Sequence, residues 1–132
     1  MIGLVLVSHG SLAAGLLDAA QLINGELQQV RAIGLLETED IDGLVERVQQ
    51  AATDVDTGDG VLVMVDLFGA SPFNASARAK LGTPGHAIEV VTGMNLPMLV
   101  ELDVQRDGML LEEAVSLVLQ VGQDGITQMN IV

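Results

Sequence analysis

The segment Ile2-Gly3-Leu4-Val5-Leu6-Val7 constrains the fold more than any other stretch of the chain. Its apolar residues are consecutive instead of alternating, so a strand made from it must be covered on both faces. It runs directly into the polar tripeptide Ser8-His9-Gly10. Beyond that, Leu12, Leu16, Ala19, Ala20 and Ile23 recur at helical spacing, with Ser11 placed as a cap and Asn24-Gly25 as a stop. A doubly covered strand followed at once by a helix is the opening of a parallel sheet.

The same alternation continues. Val30 to Leu36 reads as a strand weakened by Arg31 and Gly34, which suits an outer position. Thr38-Glu39-Asp40 opens a helix with acidic residues at its positive end; Ile41, Leu44, Val45 and Val48 form its buried stripe, while Asp42, Glu46 and Gln49 face water. After an acidic turn region from Thr53, Gly60 to Val65 forms a buried strand that ends at Asp66. The loop Leu67-Phe68-Gly69-Ala70 then leads to Ser71-Pro72, read as a cap followed by proline at the first helical position, and that helix ends near Gly82 with Arg78 and Lys80 at its negative end. Ala87 to Val91 is the fourth strand. Asn95 and Pro97 start a helix to about Leu102, and Met94 and Met98 are expected to pack on the core there. A last helix from Leu111 to Val121 carries apolar residues on more than one stripe and is expected to be buried on two sides. Ile126 to Ile131 reads as a short terminal strand.

This pattern predicts an α/β fold: a three-layer α-β-α sandwich with a mainly parallel sheet, in one domain spanning residues 1–132. The core must be aliphatic, because the chain has two Phe and neither Trp nor Tyr. The absence of cysteine excludes disulfides, thiol catalysis and zinc-thiolate sites. No apolar run reaches the roughly 18 residues of a membrane span, and the first residues lack a basic leader, so a cytoplasmic protein is expected. A formal net charge of −13 argues against nucleic acid and anionic membranes as partners. It also requires any bound phosphate to be held by local groups.

In a parallel sheet the site lies beyond the carboxyl ends of the strands, at the switch point in strand order. That places Ser8-His9-Gly10, Glu37, Asp66 with its loop, and Gly93 to Asn95 together. The other histidine, His86, precedes a strand and falls at the opposite end. An imidazole becomes a good nucleophile when one nitrogen is free and a carboxylate holds the proton on the other. His9 and Asp66 supply that pair. Two helix N-termini converge on them and offer amides and dipole to an anion; Gly10, Ser11, Gly69, Ala70 and Ser71 are the candidate phosphate-binding residues, and Ser8 is a further hydroxyl donor. The pair needs neither metal nor cofactor.

Strand-Ser8-His9-Gly10, the run Val65-Asp66-Leu67-Phe68-Gly69-Ala70-Ser71-Pro72-Phe73-Asn74 and the run Thr92-Gly93-Met94-Asn95-Leu96-Pro97-Met98-Leu99 resemble the mannose-class IIA component of the bacterial phosphotransferase system. The likeness extends over nearly the whole chain. It implies that His9 receives phosphate from the carrier HPr and donates it to a IIB partner for sugar uptake, with Asp66 as the hydrogen-bond partner of His9 and Ser71 at the phosphate. It also implies a homodimer whose terminal strands, antiparallel to their neighbours, are exchanged, and contact with a membrane only through a transporter. Leu67-Phe68 stands where a small polar residue and Trp are expected. With Val132 as the last residue, a IIA unit without a fused IIB domain is expected.

Three other readings compete. The phosphotransfer subunit of a dihydroxyacetone kinase has related chemistry, but Gly10 stands where a second serine is expected after the histidine. A receiver domain phosphorylated on Asp66 would need an acidic pair after the first strand, and Ser8-His9 stands there. A regulatory module that uses phosphorylation to switch partners shares the same residues. No glycine-rich nucleotide loop is present.

Overall fold

The structure is a computed structural model and describes residues 1–130. In chain order it contains β1 (Gly3–His9), α1 (Leu12–Asn24), β2 (Val30–Leu35), α2 (Ile41–Val55), β3 (Val61–Val65), α3 (Ser71–Gly82), β4 (Ile88–Val91), α4 (Leu96–Gln105) and α5 (Leu111–Asp124). The four strands form one sheet in the order β2-β1-β3-β4, and every pairing is parallel. The outer position expected for β2 is the one observed.

Consecutive apolar residues in β1 and β3 divide between two cores, because side chains alternate across a sheet. Leu4, Leu6, Leu62 and Met64 pack with α1, α4 and α5 on one face. Val5, Val7, Val61, Val63 and Val65 pack with α2 and α3 on the other. This makes the three-layer α/β sandwich. The chain leaves β1 to one side through α1, returns beneath the sheet through α2 to β3, and continues outward to β4. The direction therefore reverses between β1 and β3, and that gap is the switch point.

Several local expectations shift. β1 extends to His9, which pairs with Leu35, so the imidazole stands on the last strand residue. Helix α2 runs on to Val55, so Thr53 and Asp54 are helical and not part of a turn; α4 and α5 likewise continue to Gln105 and Asp124. Gln49 is half-buried, its amide donating to the Gly82 carbonyl at 3.1 Å, which joins α2 to α3. Asp40 caps α2 by accepting the Gly43 N–H at 2.8 Å, and Asn95 caps α4 by accepting the Met98 N–H at 3.2 Å. Met94 and Met98 are buried as expected.

Helix α5 buries Ala114, Val118 and Gly122 along one line, while Leu119 remains 45 % exposed. Burial on two sides is therefore not achieved within a single chain. Residues 126–130 form no strand, and Ile131, the end of the expected terminal strand, lies outside the described residues.

The most unusual core residue is Arg106, which is fully buried. Its guanidinium donates to the carbonyls of Ile2 (2.9 Å), Gln29 (3.4 Å) and Gln28, and to Asp103 at 3.3 Å. It thereby ties the end of α4 to the starts of β1 and β2, at the edge of the sheet away from His9.

Candidate active site

His9 closes β1 and Asp66 follows β3, so adjacent central strands deliver the two residues to the switch point. Asp66 Oδ2 accepts two hydrogen bonds from His9, from the backbone N–H at 2.8 Å and from ring Nδ1 at 2.8 Å. One carboxylate oxygen thus fixes both the main chain and the ring. For Nδ1 to donate, the proton must sit on Nδ1, which leaves Nε2 with a free lone pair. The His9 side chain is 51 % exposed and that of Asp66 is 11 % exposed. The imidazole is thus open to solvent while the carboxylate is largely enclosed.

Burial acts to raise the Asp66 pKa, but the bonds from the His9 backbone and ring outweigh it and hold the carboxyl below its ordinary value. The other carboxylate oxygen, Oδ1, is buried with no hydrogen-bond partner among the described residues.

The two turns beside the pair are shaped by glycine. Gly10 has φ +52° and Gly69 has φ +80°, conformations that side-chain-bearing residues rarely adopt. Gly34, an apparent defect of β2, has a reason in this packing: a Cβ there would lie 2.0 Å from the Gly10 carbonyl oxygen. The Gly10 N–H is already used, donating to the Leu35 carbonyl at 3.2 Å. Gly10 therefore shapes the site but does not offer its amide to a ligand.

Helix α1 is not capped as the sequence suggests. Ser11 occupies the cap position, but its side chain makes no cap bond. The Ala13 N–H instead donates to Ser8 Oγ at 2.7 Å. Ser8 is fully buried and so is not a donor to a ligand, contrary to expectation. At α3 the cap is Ala70, Ser71 is the first helical residue and Pro72 the second, so the helix starts one residue earlier than the sequence reading. The Asn74 amide bridges back to the Gly69 carbonyl at 3.3 Å and holds the loop against its helix. Glu37 is exposed and forms no ion pair among the described residues. The Met94 N–H bonds the Val65 carbonyl at 3.1 Å, which brings the loop after β4 to the base of Asp66.

All five Lys and Arg are engaged away from the pair. Arg47 bonds Glu39 and the Gly34 carbonyl, Arg78 meets Asp42, Lys80 meets Glu89, Arg31 bonds its neighbouring carbonyl, and Arg106 is the buried clamp. An anion here would be held by amides, hydroxyl and helix dipoles. Among the described residues no cluster of His, Cys, Asp or Glu could hold a metal ion. His86 sits at the opposite end as expected, with Nδ1 2.7 Å from Asp56 Oδ2, and Asp56 also accepts the Gly58 and Gly60 N–H groups. This second His–Asp pair closes a loop.

Exposed apolar side chains surround the site. Leu12, Leu36, Leu67 and Phe68 are 49, 60, 60 and 74 % exposed, and the Phe68 ring leans on Phe73 with centroids 4.8 Å apart. Among the described residues no helix is long and apolar enough to cross a membrane.

Comparison with known proteins identifies the family. Residues 3–119 match the family described as the PTS system fructose IIA component. The mannose-specific EIIAB component of Escherichia coli K12 is 36 % identical over 126 residues, which are 95 % of this chain and 38 % of that protein. The chain thus spans about two fifths of that relative's length. The sorbose-specific EIIA component of Lacticaseibacillus casei is 30 % identical over 96 % of this chain and 90 % of its own. The crystal structure of a phosphotransferase system EIIA component from Streptococcus agalactiae superposes with a TM-score of 0.89 at 27 % identity, covering 97 % of both chains. The family match over residues 3–119 and the likeness to the sorbose-specific component over most of both chains place this chain in the mannose-class family of phosphotransferase system IIA components.

Proposed function

We propose that this chain is a phosphoryl carrier that accepts phosphate from HPr on His9 and passes it to a IIB component for sugar uptake and phosphorylation. The observation that carries this reading is the 2.8 Å contact between His9 Nδ1 and Asp66 Oδ2. It leaves Nε2 to attack phosphorus. The new N–P bond forms as the bond between phosphorus and the donor histidine breaks, and the donor ring leaves as a neutral imidazole. Positive charge developing on the His9 ring is stabilised by Asp66 through the Nδ1 proton, which stays in place. The second transfer reverses these roles towards the acceptor.

The amides at Ser11, Gly69 and Ser71, with the Ser71 hydroxyl, hold the phosphoryl oxygens at the two helix starts, while the Ala70 N–H is already turned to the Leu67 carbonyl at 3.5 Å. Gly10 contributes by its missing side chain. The lack of a local cation keeps the bound group transferable, because a phosphohistidine held by arginine would be released slowly. The apolar rim of Leu12, Leu36, Leu67 and Phe68 suits a protein partner better than a sugar, and the mannose-specific relative's printed name joins an A and a B component. The chain acts in the cytoplasm as one unit and as a homodimer. The uncovered side of α5 supports the dimer: a groove of about 470 Å³ lined by Glu89, Leu110, Leu111, Glu112 and Val115 runs beside the edge strand β4, where an exchanged terminal strand would pair.

The test is incubation with labelled phosphoenolpyruvate, the general first enzyme and HPr. Wild type acquires acid-labile, base-stable label, and His9→Ala acquires none. Equal labelling of the two proteins overturns the assignment.

A further inference from the structure

We propose that Ser8 is a positioning residue for the phosphoryl transfer, a role that rests on the carrier function assigned to His9. Half-exposed imidazoles are not held by packing, so the geometry of His9 must come from its hydrogen bonds. Its main-chain N–H is fixed by Asp66 at 2.8 Å and the following N–H, that of Gly10, by the Leu35 carbonyl at 3.2 Å. The remaining main-chain group, the His9 carbonyl, accepts the Ser8 hydroxyl at 3.1 Å. That hydroxyl in turn accepts the Ala13 N–H at 2.7 Å.

Ser8 therefore couples the His9 peptide directly to the first turn of α1. The coupling matters because α1 presents its amides to the same phosphoryl group that His9 carries. A shift of the helix start relative to the ring would misplace the donors with respect to phosphorus. Ser11, the residue at the cap position, cannot do this, since its side chain makes no cap bond. The burial of Ser8 makes the arrangement exclusive: both capacities of a fully buried hydroxyl are satisfied within the turn, and water has no access to replace it. Removing the hydroxyl leaves the buried Ala13 N–H without its acceptor and frees the part-buried carbonyl of His9 itself.

The experiment compares wild type with Ser8→Ala, Ser8→Thr and Val48→Ala. Val48 is fully buried against the other face of the sheet, and its truncation lowers stability without touching the turn. Two quantities are read at a temperature where all four are folded: the rate of label transfer from phosphorylated HPr, and the ¹⁵N shifts of the His9 ring, which report the tautomer. Ser8→Ala is expected to transfer roughly ten- to a hundredfold more slowly, the scale of an ångström misplacement, and to lose part of the Nδ1–H form. Ser8→Thr, which keeps the hydroxyl in a conformation suited to a strand, returns both to near wild type. Val48→Ala leaves both unchanged.

A wild-type rate in Ser8→Ala overturns the proposal, as does an equal loss in Val48→Ala or a failure of threonine to restore the rate. If wild type itself takes no label, the carrier reading falls and the ring spectrum alone decides. Identical tautomer shifts in wild type and Ser8→Ala would then show that Ser8 positions nothing.

Discussion

Replacing Asp66 with asparagine tests the pairing at the centre of the site, because the change removes a charge while keeping the shape. Asp66 Oδ2 accepts two N–H groups of His9, each at 2.8 Å, and Oδ1 is buried with no partner among the described residues. An asparagine can be placed in two ways, and both are unfavourable. With its oxygen at the Oδ2 position it still accepts both bonds, but its amide NH₂ then occupies the buried Oδ1 position without an acceptor. With the NH₂ at the Oδ2 position it opposes the His9 backbone N–H, and it donates to Nδ1, which drives the proton to Nε2 and removes the nucleophile. Losing a hydrogen bond to a charged acceptor costs about 1.5–3 kcal/mol, and about 1.4 kcal/mol is tenfold in rate. Transfer from phosphorylated HPr is therefore expected to slow between about tenfold and about a hundredfold. The roughly ten-thousandfold loss for the same change in a serine-protease triad is an upper bound, since the His9 ring is half-exposed and water can share its charge. Rapid-quench measurement of label transfer at saturating donor, with circular dichroism to verify the fold, reads the effect. A rate within twofold of wild type would refute the role given to Asp66.

Further expectations concern the ring, the pH response, the buried clamp and the assembly. With Nδ1 held by Asp66, phosphorus should bond to Nε2, and ³¹P–¹⁵N spectra of the labelled protein showing substitution at Nδ1 would contradict the geometry. Asp66 and Asp56 both have pKa values below their ordinary one: at each, burial acts to raise the pKa, while the bonds from His9, or from His86 and the Gly58 and Gly60 amides, outweigh it. A depressed folded pKa contributes stability that is full above the unfolded value of about 3.9 and is lost as pH falls through the folded values. Urea denaturation should thus show stability declining below about pH 4, with a smaller decline in the Asp56→Asn, Asp66→Asn double variant. Arg106→Ala would leave the carbonyls of Ile2 and Gln28 without this donor, while that of Gln29 keeps the Leu4 N–H at 2.9 Å. A loss of about 3 kcal/mol is expected, and a loss under about 1 kcal/mol would show that water replaces the guanidinium. Sedimentation of a monomer at micromolar concentration would count against the homodimer and the exchange of terminal strands.

Much of this protein is legible in the residues alone because the relevant physics is local. Consecutive apolar residues in Ile2–Val7 and Val61–Val65 demand two covered faces, and helical spacing between them demands crossovers; a parallel sheet follows. Given that sheet, His9 and Asp66 must meet at one edge and His86 must fall at the other, although His9 and Asp66 lie 57 positions apart. Tertiary structure alone decided how they meet. That Nδ1 faces Asp66, that the Gly10 amide turns to Leu35, and that Ser8 caps α1 in place of Ser11 all depend on tenths of an ångström between segments distant in sequence. Gly34 shows the difference most clearly. In sequence it is a flaw in a strand, and in the fold it is the space occupied by the Gly10 carbonyl. Arg106 shows it in reverse: a residue that sequence places only in the stretch before the last helix becomes the most buried cation of the chain, because carbonyls at the starts of β1 and β2 converge on its guanidinium. Periodicity records which face of an element is covered. It carries no information about which unpaired backbone group of one segment will lie against another, and that is what sets the chemistry at His9.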